Sequence, residues 1–119
     1  MNDFCSISLS DKLTPWSLIK KRVEGALVGD FVIALFNPQS IERNWQLKSA
    51  IDICLQSSRS NTPVLIARQV GRENQTKKFF TLNTIPFKEI DMLSIIIIGN
   101  SQTTLIDEIF LTPRGYLHN

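Results

Sequence analysis

The sequence predicts an α/β domain with a mixed β-sheet of about five strands flanked by helices. Two segments carry apolar residues at helical spacing, about five short runs are rich in β-favouring residues, and one hairpin pattern interrupts an order otherwise suited to helical crossovers. A length of 119 residues suits one domain with a single core, and 43% hydrophobic with 20% charged residues is ordinary for a globular fold.

Thr14 followed by Pro15 marks the first helix, because a hydroxyl can accept an orphan amide and proline needs no donor in the first turn. The helix is expected over 15–27, with Trp16, Leu18, Ile19, Val23, Ala26 and Leu27 on its apolar side. Gly29 and Asp30 break it. The uninterrupted apolar run 31–36 suits a strand covered on both faces, and Asn37-Pro38 ends it, since proline cannot donate to a ladder. A second helix is expected over 41–57, with a stripe of Trp45, Leu47, Ala50, Ile51, Cys54 and Leu55. Strands over 64–69 and 77–83 read as a hairpin, with Gly71 as the residue of positive φ between them. A short helical turn over 86–89 precedes the clearest buried strand, 94–98, which Gly99-Asn100-Ser101 closes. A last short strand is expected over 108–111, followed by a turn-rich tail at 112–116.

Composition excludes several classes. Thirteen basic against 11 acidic residues leave a net charge of +2, too little for a nucleic-acid footprint. The longest strongly apolar run, Ile95 to Ile98, is far below the roughly 20 residues that span a bilayer. No export signal is expected, because Met1 to Leu9 is polar-interrupted and lacks a basic start. Cys5 and Cys54 have no CxxC spacing and the single histidine, His118, is next to last, so no protein metal site and no Ser-His-Asp or Cys-His arrangement is expected. Unpaired thiols agree with a cytoplasmic location. A nucleotide-binding domain of other kinds finds no phosphate loop here.

Ordered segments along the chain carry a family resemblance. Asp3-Phe4-Cys5 leads into ISLSDKLTPW (Ile7 to Trp16); ALFNPQS follows with Arg43 and Trp45-Gln46-Leu47, then ARQVGRENQ, then EIDMLSIIIIGNSQT and TPRGY. In this order they resemble the precorrin-3B C(17)-methyltransferases of cobalamin biosynthesis, which are tetrapyrrole methylases, and cover the carboxyl-terminal half of such an enzyme. Gln39 stands where that family usually has arginine, and Gln69 where it often has asparagine. The resemblance implies that 1–119 is the carboxyl-terminal domain and that the amino-terminal cofactor-binding domain lies on a separate or missing half. It implies S-adenosylmethionine as cofactor, a tetrapyrrole as substrate, C-methylation with ring contraction, and possible homo-oligomers; no membrane or nucleic-acid partner is expected.

Candidate residues follow, each beside a plainer reading. Phe36 and Asn37 end a buried strand, where ligands of open α/β sheets lie, and the resemblance makes them cofactor contacts; otherwise Phe36 is core and Asn37 a turn former. Val70 and Gly71 match the family's second cofactor contact, or form an ordinary hairpin turn. Arg68, Arg72 and Arg114 suit a substrate that bears acetate and propionate groups, because a guanidinium fork binds carboxylate with two charge-assisted hydrogen bonds; a solvated arginine is the alternative. Ser8, Ser10 and Asp11 lie in the segment that passes the family's cleft, where Asp11 meets substrate or caps the following helix. Direct attack of the macrocycle on an activated methyl group needs no dedicated nucleophile, and no catalytic base is assigned. The competing function is a split or relic domain that docks a partner without catalysis.

Overall fold

The structure is a computed structural model that describes residues 4–40, 42–57, 60–69, 71, 73–106 and 109–111. Its main sheet has five strands in the order β1-β2-β5-β3-β4, formed by β1 (Phe4–Ser8), β2 (Val32–Phe36), β3 (Pro63–Arg68), β4 (Thr76–Thr81) and β5 (Ser94–Ile98). Helices α1 (Trp16–Val28) and α2 (Gln46–Gln56) lie in the two crossovers, and β6 (Thr104–Ile106) pairs with β7 (Ile109–Leu111) as a separate sheet.

The β1–β2 pair is parallel, whereas β5 runs antiparallel to both of its neighbours and β3 pairs antiparallel with β4. Strands β1, β2 and β3 therefore point the same way, with β5 inserted between β2 and β3. The mixed sheet and the hairpin agree with the sequence. The membership of the sheet differs, because its fifth strand is Phe4–Ser8, which the sequence leaves unassigned, and the segment near 108–111 pairs with β6 instead. Segment FCSIS hides its strand character because one face carries Ser6 and Ser8, whereas the other carries Cys5 and Ile7 beside Ile33 and Leu35.

Alternation sets the core. Ile7, Ile33, Leu35, Val64, Ile66, Ile96 and Ile98 share one face of the sheet and cluster with Ile19, Val23 and Ala26 of α1 and Leu47, Ala50, Ile51 and Cys54 of α2. Both helices thus cover the same face. Val32 and Ala34 on the other face are also buried, as an uninterrupted apolar run requires. Two assignments to the helix stripes need correction: Leu18 is exposed, and Trp45 is the N-cap of α2, exposed by 48% and stacked edge-to-face on Trp16 at 5.0 Å between ring centres.

The helix ends show why the chain turns where it does. Pro15, not Thr14, occupies the N-cap of α1, and no side-chain cap bond is present. At the other end Gly29 is the C-cap at φ −78°, and Asp30 takes the left-handed conformation at φ 56°. The Phe31 and Asp30 amides donate to the Ala26 and Leu27 carbonyls, the paired bonds of a Schellman turn. Glycine at 29 leaves room for the Phe31 ring: a Cβ there would stand 2.6 Å from it and the ring would have to shift. The Asp30 carboxylate accepts from the Ser101 amide at 2.9 Å, which fastens this turn to the end of β5.

Candidate functional site

Because β1, β2 and β3 are parallel, their carboxyl ends share one edge of the sheet with the start of β5. Register places Ser8 beside Phe36, and Arg68 beside Ser94. The edge therefore gathers Ser8, Phe36, Asn37 and Arg68, with Gly71 in the turn just beyond Arg68. One intervening strand separates β2 from β3, so the Asn37 and Arg68 ends stand about 10 Å apart. The start of β5 lies between them, and the carboxyl ends of parallel strands are where open α/β sheets take ligands.

Asn37 is left-handed at φ 50°, a conformation that asparagine tolerates better than most residues. Its Nδ2 donates to Ser8 Oγ at 3.0 Å, and the Leu9 amide donates to the Phe36 carbonyl at 2.9 Å. These bonds close β1 onto β2. Arg43, noted in the sequence only as part of a motif, is the hub of this corner: its guanidinium donates to the Leu9 carbonyl at 2.9 Å and to the Asn37 carbonyl at 2.6 Å, and touches Met92 Sδ at 3.2 Å. Gln39 Nε2 donates to the Phe87 and Ile90 carbonyls at 2.6 and 2.9 Å, so the residue that departs from the family pattern still ties down the segment before β5. Spacing alone gave no signal for either role, because both bonds reach residues distant in sequence.

Arg68 is engaged by Asp91. Its Nε and Nη2 donate to the carboxylate at 3.1 and 2.7 Å, while Asp91 also accepts from the Leu93 amide at 2.9 Å. The hydrogen bonds from Arg68 hold the Asp91 carboxyl below the usual range against a smaller opposing effect of burial, and the same pairing raises the Arg68 value. The fork that was expected to meet substrate thus has a partner within the fold. Next to it Gln69 is left-handed at φ 56° and its amide donates to the Leu93 carbonyl at 3.1 Å.

Gly71 has φ 83°, as the hairpin reading requires, and its amide donates to Gln75 Oε1 at 2.8 Å. An added Cβ would meet nothing within 4 Å. Open backbone at this point can admit a flat ligand close to the chain. Phe36 is half-buried and lines an apolar concavity of about 450 Å³ on the second sheet face with Ala34, Ala67, Ile95 and Ile97. Val70, Arg72 and Arg114 lie outside the described residues.

Asp11 does not cap α1. Its Oδ2 accepts from Gln46 Nε2 at 3.0 Å, joining the loop after β1 to the first turn of α2. Gln46 is buried, and its Oε1 has no hydrogen-bond partner among the described residues. No group of three or more His, Cys, Asp or Glu residues that could hold a metal ion occurs among the described residues. At the opposite end of β5 the Ser101 amide donates to the Asp30 carboxylate, the Asn100 amide to Thr103 Oγ1 and the Gly99 amide to the Pro63 carbonyl, so the turn at 99–101 spends these donors within the fold.

Comparison with known proteins returns the same family that the sequence suggests. The chain is 44% identical over 116 residues to a probable cobalt-factor III C(17)-methyltransferase of Salmonella typhimurium, covering 98% of this chain and 48% of that protein. It is 36% identical over 120 residues to a precorrin-3B C(17)-methyltransferase of Sinorhizobium sp, covering 97% and 47%. The crystal structure of the methyltransferase CobJ superposes with a TM-score of 0.88 at 31% identity, over 94% of this chain and 47% of that one. The cobalt precorrin-4 methyltransferase CbiF shares the fold at a TM-score of 0.57 and 15% identity. No family model matches. The chain resembles C(17)-methyltransferases of cobalamin biosynthesis along nearly its whole length, and it spans about half the length of these curated relatives.

Proposed function

We propose that this chain is the carboxyl-terminal half of an S-adenosylmethionine-dependent C(17)-methyltransferase, acting in the cytoplasm on a precorrin-3B or cobalt-factor III type tetrapyrrole with contraction of the ring. One observation carries the reading beyond resemblance: the strand ends bring Ser8, Phe36, Asn37 and Gly71 to a single edge of the sheet. They form one wall of a cleft, and the second wall belongs to the amino-terminal half.

The cofactor supplies an electrophilic methyl group on sulfonium sulfur. Phe36, Asn37 and the Gly71 turn would hold that cofactor, whose methyl group would be accepted by carbon 17 of the electron-rich macrocycle with the sulfur keeping the C–S electron pair. The chain's share is alignment and exclusion of water: Phe36 offers an apolar surface, Asn37 and the Gly71 turn offer backbone, and Arg43 and Gln39 keep the strand ends in place.

Half a cleft buries only part of a small ligand, so the isolated chain is expected to bind the cofactor weakly and to turn over little or nothing. Titration calorimetry with S-adenosylmethionine, with and without a separately produced amino-terminal half of a relative, tests this. Reconstitution should tighten binding by about a hundredfold or more, equivalent to roughly 3 kcal/mol, and restore methylation. Tight binding and turnover by the chain alone would refute the split-cleft reading. No gain on reconstitution would favour the partner-docking alternative.

A further inference from the structure

Beside the strand ends lies a second concavity of about 460 Å³, lined by Ser8, Ser10, Lys12, Leu13, Thr14 and Arg22. Two cations and three hydroxyl groups face one space, and neither Lys12 nor Arg22 forms an ion pair with another described residue. The nearest acid in sequence, Asp11, is hydrogen-bonded to Gln46 of α2, and the first turn of α1 holds no acidic residue. Leu13, exposed by 99%, adds an apolar surface at the rim. Ser8 belongs to both places: its hydroxyl accepts from Asn37 at the strand end, and the same side chain lines this groove.

We propose that Lys12 and Arg22, with the hydroxyls of Ser10 and Thr14, form a carboxylate subsite that anchors an acidic arm of an amphiphilic substrate while Leu13 rests against its apolar body. Guanidinium and ammonium groups bind carboxylates through charge-assisted hydrogen bonds, and hydroxyls complete the shell. The shared Ser8 sets this anchor next to the proposed methyl-donor contact at Asn37. The identity of the ligand rests on the function proposed above; the anion chemistry of the groove does not. Arg68 is held by Asp91, whereas Lys12 and Arg22 have no ion-pair partner among the described residues.

Amide NMR titration of the 119-residue chain at low ionic strength tests the subsite, with uroporphyrin and the small tricarboxylate tricarballylate as probes. Both probes should perturb Ser8, Ser10, Lys12, Leu13, Thr14 and Arg22. Lys12→Glu/Arg22→Glu should weaken uroporphyrin binding by about tenfold or more. Lys20→Glu/Lys21→Glu, an equal charge change on α1 at residues that do not line the groove, should weaken it far less, and Lys12→Arg/Arg22→Lys should retain binding. Perturbations that map elsewhere, or equal losses in the two charge-reversed variants, overturn the proposal. A parallel titration with S-adenosylmethionine reads the strand ends separately. If its shifts at Phe36, Asn37 and Gly71 survive where the carboxylate probes fail, the subsite falls and the methyl-donor reading stands; the reverse result keeps the subsite and removes that reading.

Discussion

At Gly71 the backbone conformation and the surrounding space make separable demands. The positive φ of 83° disfavours any side chain, yet no atom crowds the place a methyl group would take. Gly71→Ala should therefore cost about 1–2 kcal/mol in urea unfolding, from the left-handed backbone alone. If the cofactor approaches this turn, affinity in the reconstituted enzyme should fall by more than that folding cost explains; unchanged affinity would remove Gly71 from the cleft. Asp91 gives a prediction in pH. Its carboxyl is held down by Arg68, so the pair's contribution is present above the unfolded carboxylate value of about 3.9 and is lost as pH falls through the lower folded value. Asp91→Asn should be less stable than wild type at neutral pH, and the two unfolding curves should converge in acid. A gap that persists at pH 2 would mean that the Leu93 and Ser94 contacts, rather than the charge, hold this turn. Both partners are partly exposed, so the effect is modest.

On the scale of elements, β5 carries the clearest contrast, because neighbouring isoleucines face opposite sides of the same strand. Ile96 is fully buried under the helices, whereas Ile97 is half-buried against the open concavity. Ile96→Ala should cost about 2–5 kcal/mol, with cavity formation included. Ile97→Ala should cost about 1–2 kcal/mol, since less apolar surface returns to water. The loss of β propensity is common to both, so equal costs would contradict the one-sided helical cover. The same strand explains what the sequence could tell. Four consecutive isoleucines and the 64–69/77–83 hairpin pattern are local signals, and the structure has both. Segment Phe4–Ser8 is a strand only because β2 lies beside it, and its serines face away from the core. Arg43 and Gln39 escaped notice for a similar reason: Arg43 reaches Leu9 across 34 residues and Gln39 reaches Phe87 across 48, beyond any local pattern. The turn roles of Asn37 and Gly71 were legible because unusual backbone favours particular residue types, and the capping role of Asp11 fails because its carboxylate accepts from Gln46, far along the chain.

For the whole molecule, strand order predicts how stability is distributed and where a ligand meets firm or yielding backbone. Strand β5 is bonded on both sides, β2 likewise, whereas β1 and β4 are edges and β6–β7 is a two-stranded sheet of its own. Amides released only by global unfolding should be those of β5 and β2, whereas β4, with Thr76 to Lys78 turned to solvent and Phe79 to Thr81 only half-covered, should open locally. The β6–β7 pair should exchange fastest of the strands, because a lone hairpin is marginal in water. Native-state hydrogen exchange reads this order directly. Its functional consequence is that Asn37 sits on the rigid part of the floor and Gly71 on the turn into an edge strand. Binding of a ligand that spans both should slow exchange at Gly71 and Gln75 much more than at Phe36, where little freedom remains to be lost. Equal slowing at both places would mean that the two strand ends already move as one body, and the proposed wall would then be preformed rather than completed by its ligand.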